Sequence, residues 1–253
     1  MIVCEVGLNH QGNEEYSYEY IDHLSNTSCD AITYQIREKD FYLSEEYGHI
    51  RLPFSHYQSL VNKCHDNKKA FGMALANHEL IPQCENINVD FYKVLSWDLN
   101  SYDFIDKLLE TNKVVFVSTG MSSIEEIDKF CERYKNNKFA SKNLRLIHTQ
   151  LSFDIHEVNL KAIPFMQKRY PYPVAFGNHC EDLNVLYSSV AFEPSDTFMY
   201  VKHKEEVGHI DEKHSVRLSS LTKMIDSLTG LSYSLGTATK LKIEKKDKYL
   251  IQN

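Results

Sequence analysis

Eight short apolar runs alternate with eight amphipathic stretches along this 253-residue chain, and that alternation limits the folds open to it. The runs are residues 2–6, 31–35, 70–75, 91–95, 114–117, 144–148, 173–176 and 198–201. Their shortness and polar flanks mark them as buried strands rather than pieces of helix. Helical spacing fills the gaps, at 16–24, 57–64, 80–84, 104–109, 124–134, 160–167, 183–192 and 218–228. The Ser-Ser-Ile-Glu-Glu-Ile run at 122–127 has the cap-then-acid pattern of a helix start. Strand–helix units repeated in this way predict an α/β fold of the (β/α)8 TIM-barrel type, which takes about 250 residues and so uses the whole chain. A doubly wound open sheet is the alternative, but it usually carries a glycine-rich first turn. Only 9 glycines occur here, with neither G-x-G-x-x-G nor a Walker sequence. The expected division is a barrel over 1–235 and a tail over 236–253, whose basic run at 242–248 reads as a solvated segment.

Composition narrows the function. With 28 Lys+Arg against 35 Asp+Glu the net charge is −7, which argues against a duplex nucleic acid as partner. No stretch is long and apolar enough to span a bilayer, and the first ten residues lack the charged and apolar regions of an export signal, so no membrane partner is expected. Cys4, Cys29, Cys64, Cys84, Cys131 and Cys180 are scattered and form no C-x-x-C pair. They read as reduced, mostly buried thiols of a cytoplasmic protein.

In a barrel of this kind the chemistry sits at the C-terminal ends of the strands. Polar residues fall there in number: Glu5, Asn9 and His10 after the first run, Lys93, Ser96 and Asp98 after the fourth, Ser118 and Thr119 after the fifth. His148, His179 and His203 end or follow the last three. Glu5, in an apolar strand, needs a partner, as a structural ion pair or in a site. Lys93 needs an anion, from Glu5, Asp98 or a ligand. Ser118-Thr119-Gly120 either caps a helix or receives phosphate or carboxylate. His179 and His203, on adjacent strands, are either hydrogen-bonded structural groups or ligands of one Mn, Fe or Zn ion. His49, His56, His65 and His78 read as surface residues.

Several motifs in order resemble the sialic acid (N-acetylneuraminate) synthase family. Glu-Val-Gly-Leu-Asn-His-Gln-Gly at 5–12 is similar to E-I-G-x-N-H-x-G, and Asp90-Phe-Tyr-Lys-Val-Leu-Ser-Trp-Asp98 to D-x-Y-K-I-x-S-G-[DE]. Ser118-Thr-Gly-Met-Ser-Ser-Ile-Glu-Glu-Ile127 follows S-T-G-M-x-x-x-x-E-I. Asn159-Leu, then Gly177-Asn-His-Cys180 for S-D-H-T, Val201-Lys-His203 for E-K-H, and Asp211 with Ser215 for D-x-x-x-S complete the series. The resemblance implies condensation of phosphoenolpyruvate, or an altered 2-keto-acid donor, with an aldehyde sugar to give a 2-keto-3-deoxy sugar acid. It implies His179 and His203 as ligands of a divalent metal, Mn2+ first, acting as a Lewis acid. Lys93, Ser96 and Ser118 become contacts of the donor anion, with Asn9, His10 and Gln35 completing the substrate-binding set. Glu5, Asp98 and Asp211 become the acid–base or orienting groups.

The departures from the family pattern cluster on the donor phosphate. The strand-two lysine is replaced by Thr33, the strand-three S-T-P-F by Met73-Ala74-Leu75-Ala76, an amide position by Leu151, and the strand-seven Ser and Asp by Gly177 and Asn178. Polar contacts of about 1–3 kcal/mol each, three or four of them lost, weaken donor binding on the order of 10³-fold unless Lys93 or an arginine compensates. The chain also ends where full-length synthases continue into an antifreeze-like domain that reaches the partner subunit, which leaves a barrel-to-barrel homodimer as the expected assembly. Two further readings stay open: a non-catalytic barrel that binds a sugar or a partner protein, and a lyase or isomerase using the same rim.

Overall fold

The computed structural model describes residues 1–203, 208 and 210–240; the basic run at 242–248 lies outside them. Eight parallel strands form in the expected places: β1 (Ile2–Gly7), β2 (Ala31–Ile36), β3 (Ala70–Leu75), β4 (Phe91–Val94), β5 (Val114–Ser118), β6 (Leu144–His148), β7 (Val174–Gly177) and β8 (Thr197–Lys202). Each pairs with the next, and β1 pairs with β8, so the sheet closes into the predicted (β/α)8 barrel. A two-residue strand that was not foreseen, β9 (Val216–Arg217), extends β8 beyond the closure.

The connecting helices are α1 (Glu14–Ser25), α2 (Phe54–Asp66), α3 (Ile81–Asn86), α4 (Tyr102–Glu110), α5 (Ile124–Tyr134), α6 (Ala140–Asn143), α7 (Ala162–Arg169), α8 (Asn184–Ser189) and α9 (Leu218–Leu235). α4 shows why they pack: Phe104, Ile105, Leu108 and Leu109 fall on one face at helical spacing and are buried. α5 begins with a full capping box, in which Ser123 Oγ accepts from Glu126 N–H and the Glu126 carboxylate accepts from Ser123 N–H. None of the described helices is long and apolar enough to cross a membrane. All six cysteines are buried and unpaired, as expected.

Strand side chains alternate between two cores. One set packs outward against the helices, and the other fills the barrel: Val3, Ala31, Phe91, Phe116, Ile147, Ala175 and Phe198. Phe116 meets Phe91 and Phe198 edge-on, with ring centres 5.6 and 4.9 Å apart. Three large rings in a small barrel need small neighbours. Gly72 supplies one: a Cβ there would lie 2.3 Å from the Phe91 ring and 2.6 Å from Thr33 Cγ2. Two residues further along each strand the next inward layer is Glu5, Thr33, Lys93, Ser118, Gly177 and Tyr200. An aromatic floor thus carries a polar layer toward the C-terminal mouth.

Candidate active site

Glu5 on β1 and Lys93 on β4 meet across that layer as an ion pair, both almost fully buried. Two charges this deep persist only because each cancels the other. Lys93 Nζ also lies 5.4 Å from the Phe198 ring centre and 5.6 Å from that of Tyr200, so the ammonium rests on aromatic faces. Of the partners open to Lys93, the structure selects Glu5.

Above the pair a cavity of about 240 Å³ opens to solvent. Gln35, Lys93, Ser96, Ser118, His179 and Asp211 line it, so six of the expected site residues share one space. Gly120 packs behind Ser96: a Cβ there would sit 2.9 Å from Ser96 Oγ and 2.8 Å from Thr149 Cγ2, so glycine lets these loops close together. A larger cavity, about 520 Å³, opens at the opposite end among Met1, Asp196 and Tyr233. That end of a parallel barrel carries stability rather than chemistry.

Asp211 reaches the mouth on the loop after β8. Its N–H donates to Asn9 Oδ1 at 3.1 Å, and its carbonyl accepts from Ser215 Oγ. Asn9 Nδ2 in turn donates to Val201 O (2.9 Å) and Ser215 Oγ (3.2 Å). Asn9 therefore clamps the loop rather than lining the cavity. Burial, then the nearby negative charge of Glu5, pushes the Asp211 carboxyl up to about 7, against the pull of Lys93 and Arg37. This carboxyl therefore titrates in the neutral range rather than the ordinary carboxylate range.

His179 faces Tyr200 and His214, with ring centres 5.4 and 4.6 Å away. Burial, with His214 and Lys93 alongside, holds its imidazole well below the usual range, and burial lowers His214 to about 4. Both rings are neutral at pH 7. Among the described residues neither ring nitrogen of His214 has a hydrogen-bond partner, and Nε2 stands 3.8 Å from Asp211 Oδ1.

The other expected residues lie elsewhere. His203 does not join His179. Tyr200 and Phe198 point into the barrel, so the alternation turns position 203 outward, onto α1. There the His203 ring packs 4.4 Å from His23 and 5.7 Å from Tyr16, its Nε2 lies 3.1 Å from Glu19 Oε2, and its N–H donates to Tyr20 Oη at 3.2 Å. The residues as placed do not fit the expected two-histidine holder, and among the described residues no three His, Cys, Asp or Glu side chains group as a metal site. His10 is buried outside the cavity, its Nδ1 accepting from Gly12 N–H at 3.0 Å. Asp98 accepts from Ser101 Oγ at 3.0 Å, and partial burial raises its carboxyl. His148 is a structural group, bonded through Nε2 to Val158 O at 3.0 Å. His56 is not a surface residue: it is buried 2.7 Å from Ser17 Oγ. Arg37, Trp97, Tyr200 and His214 are members of the mouth or its wall that the strand-end reading missed. Strand alternation would have found Arg37, two residues past Gln35, and Tyr200, two past Phe198. Trp97 and His214 lie in loops with no such signal.

With the site in place, comparison with known proteins decides the kinship. The model of the NeuB family matches residues 18–240. The chain belongs to the NeuB family. Among curated relatives in this family, human N-acetylneuraminate-9-phosphate synthase is 23% identical over 261 residues, covering 94% of this chain and 72% of that one. The N,N'-diacetyllegionaminic acid synthase of Campylobacter jejuni is 18% identical over 262 residues, covering 95% and 78%. The crystal structure of N-acetylneuraminic acid synthetase from Leptospira borgpetersenii, in complex with citrate, superposes with a TM-score of 0.86 at 19% identity over 98% of this chain and 87% of that one. This NeuB family member therefore shares its barrel fold with a sialic acid synthetase.

Proposed function

We propose that this NeuB family member is a sugar-acid synthase that joins phosphoenolpyruvate, or a related 2-keto-acid donor, to an aldehyde sugar. The product is a 2-keto-3-deoxy sugar acid. One observation carries the reading: the Asp211 carboxyl, raised by burial to about 7, lines the same small cavity as Lys93, whose ammonium is held by the buried Glu5.

The chemistry follows from those groups. C3 of the enol donor bonds to the aldehyde carbon, and the aldehyde oxygen takes the proton that Asp211 holds. Water then adds at C2, giving a proton back to the Asp211 carboxylate; the C2–O bond to the phosphoryl group breaks, the proton of the new C2 hydroxyl passes to the leaving phosphate, and C2 becomes the ketone. Glu5 fixes the Lys93 ammonium so that its positive end faces the developing negative charge. Ser96 and Ser118 offer hydroxyl donors to the donor's oxygens, and Gln35 can bond a sugar hydroxyl.

The test incubates the full chain with phosphoenolpyruvate and a panel of aldoses and N-acyl hexosamines, with and without Mn2+. Phosphate release matched by 2-keto-acid formation, both abolished in Asp211→Asn, supports the proposal. No product with any acceptor overturns it.

A further inference from the structure

The positive charge at the floor of the cavity is partly neutralised, because Lys93 is paired with Glu5. At the position of the strand-two lysine the chain carries the neutral Thr33, so that layer supplies no second cation. A guanidinium stands higher up. Arg37 follows β2, two residues beyond Gln35 and so on the same face, and lines the same cavity. Its plane lies over the Phe41 ring, 4.1 Å from the centre, and over the Trp97 ring at 4.8 Å. Its Nε–H and Nη2–H donate side-on to the Glu38 carboxylate at 2.9 and 2.7 Å. A guanidinium has five N–H donors in a rigid fork, so the two N–H of Nη1 and the second N–H of Nη2, which face end-on, have no hydrogen-bond partner among the described residues. Glu38 is 44% exposed against 19% for Arg37, so water screens the carboxylate more than the cation. Arg37 is also close enough to act electrostatically on Asp211 and Tyr200, inside the mouth.

We infer that Arg37, held in orientation by Trp97 and Phe41, is the residue that receives the oxyanion of the substrate acid at this mouth. The end-on fork matches two oxygens of a carboxylate or a phosphate. This inference rests on the proposed reading that the cavity takes a small acid, and it names the group that selects it. Glu38 is then a positioning residue that fixes the rotamer of Arg37, and the two rings fix its plane.

The experiment is calorimetric titration of the full chain with phosphoenolpyruvate, pyruvate and inorganic phosphate, in the wild type and in Arg37→Gln, Arg37→Lys and Trp97→Ala. Loss of one charge-assisted bidentate contact should weaken phosphoenolpyruvate binding by about 30-fold in Arg37→Gln, with Arg37→Lys recovering only part because an ammonium has no fork. Trp97→Ala should weaken it by about 5-fold through loss of orientation. If pyruvate shares the loss and phosphate does not, the fork reads the carboxylate; the opposite pattern assigns the phosphate. The partly exposed Arg37 leaves the fold intact, which an unchanged melting temperature confirms. Wild-type affinity of Arg37→Gln for all three probes overturns the inference while the synthase reading stands. Failure of the wild type to bind any of the three overturns both.

Discussion

Glu5 and Lys93 lie 88 residues apart in the chain and join β1 to β4 across the interior of the barrel. Their pairing puts a compensated charge on a floor of phenylalanine rings. Removing one partner strands the other charge, so Lys93→Ala and Glu5→Ala should each cost about 3–5 kcal/mol. A double variant, Glu5→Leu with Lys93→Met, should cost clearly less than the sum of the two, because no buried charge remains. Urea denaturation of the four proteins measures the coupling. Simple additivity would mean that the pair does not act as a unit.

Asp211 makes stability and activity depend on pH in a defined direction. Its folded carboxyl titrates at about 7, above the ordinary 3.8. Between those values the folded protein keeps a proton that the unfolded chain has lost. Stability attributable to this group therefore falls as pH rises from 4 to 7 and levels off above, by an amount on the order of a few kcal/mol. Asp211→Asn, whose backbone bonds to Asn9 and Ser215 are kept, should remove that slope and melt higher than the wild type at pH 8. In the wild type the condensation rate should fall through pH 7 as the proton donor is lost. Melting curves and rate profiles over pH 4–9 test both statements.

His179 and His203 should separate in their effects. His203→Ala removes packing on α1 and is expected to cost about 1–2 kcal/mol while leaving turnover near the wild-type level. His179→Ala removes a ring from the cavity wall and should depress turnover more than stability. A thermal-shift titration with Mn2+ adds a direct arm, in which His203→Ala should respond as the wild type does. Loss of the manganese response in His203→Ala alone would show that its ring turns inward to a metal.

Gly72 tests the packing of the barrel floor. Gly72→Ala forces a methyl against Phe91 and Thr33, and the expected cost is about 2–3 kcal/mol, or failure to fold. Pairing it with Phe91→Leu should recover part of the loss, because the ring is the nearer obstacle. Chemical denaturation of the single and double variants gives the answer.

The barrel was legible because its signal is repeated: eight apolar runs each announce a strand, and the strands form within a residue or two of where composition places them. The residues converging at the mouth were legible for the same reason, since strand ends on one rim must be neighbours. What failed was facing. His203 follows Lys202 at the end of β8, and reading it as a strand-end residue gives its height on the barrel but not its side. Counting from Phe198, which packs inside, puts position 203 on the outer face; the sequence motif alone carries no such count. His10 and Asn9 fell short differently. Both sit in the turn after β1, where hydrogen bonds to Gly12 and to the Asp211 loop, rather than alternation, decide direction. His214 could not be anticipated at all, because the loop that brings it to His179 has no periodicity.

Trp97 is the only tryptophan in the chain, against 16 tyrosines, and its ring lies on Arg37 at the edge of the cavity. Indole emission, excited beyond the tyrosine band, therefore comes from one place in the molecule. The protein carries an optical reporter at its entrance, and a ligand that shifts the guanidinium beside it should register as a change in brightness or colour without any added dye.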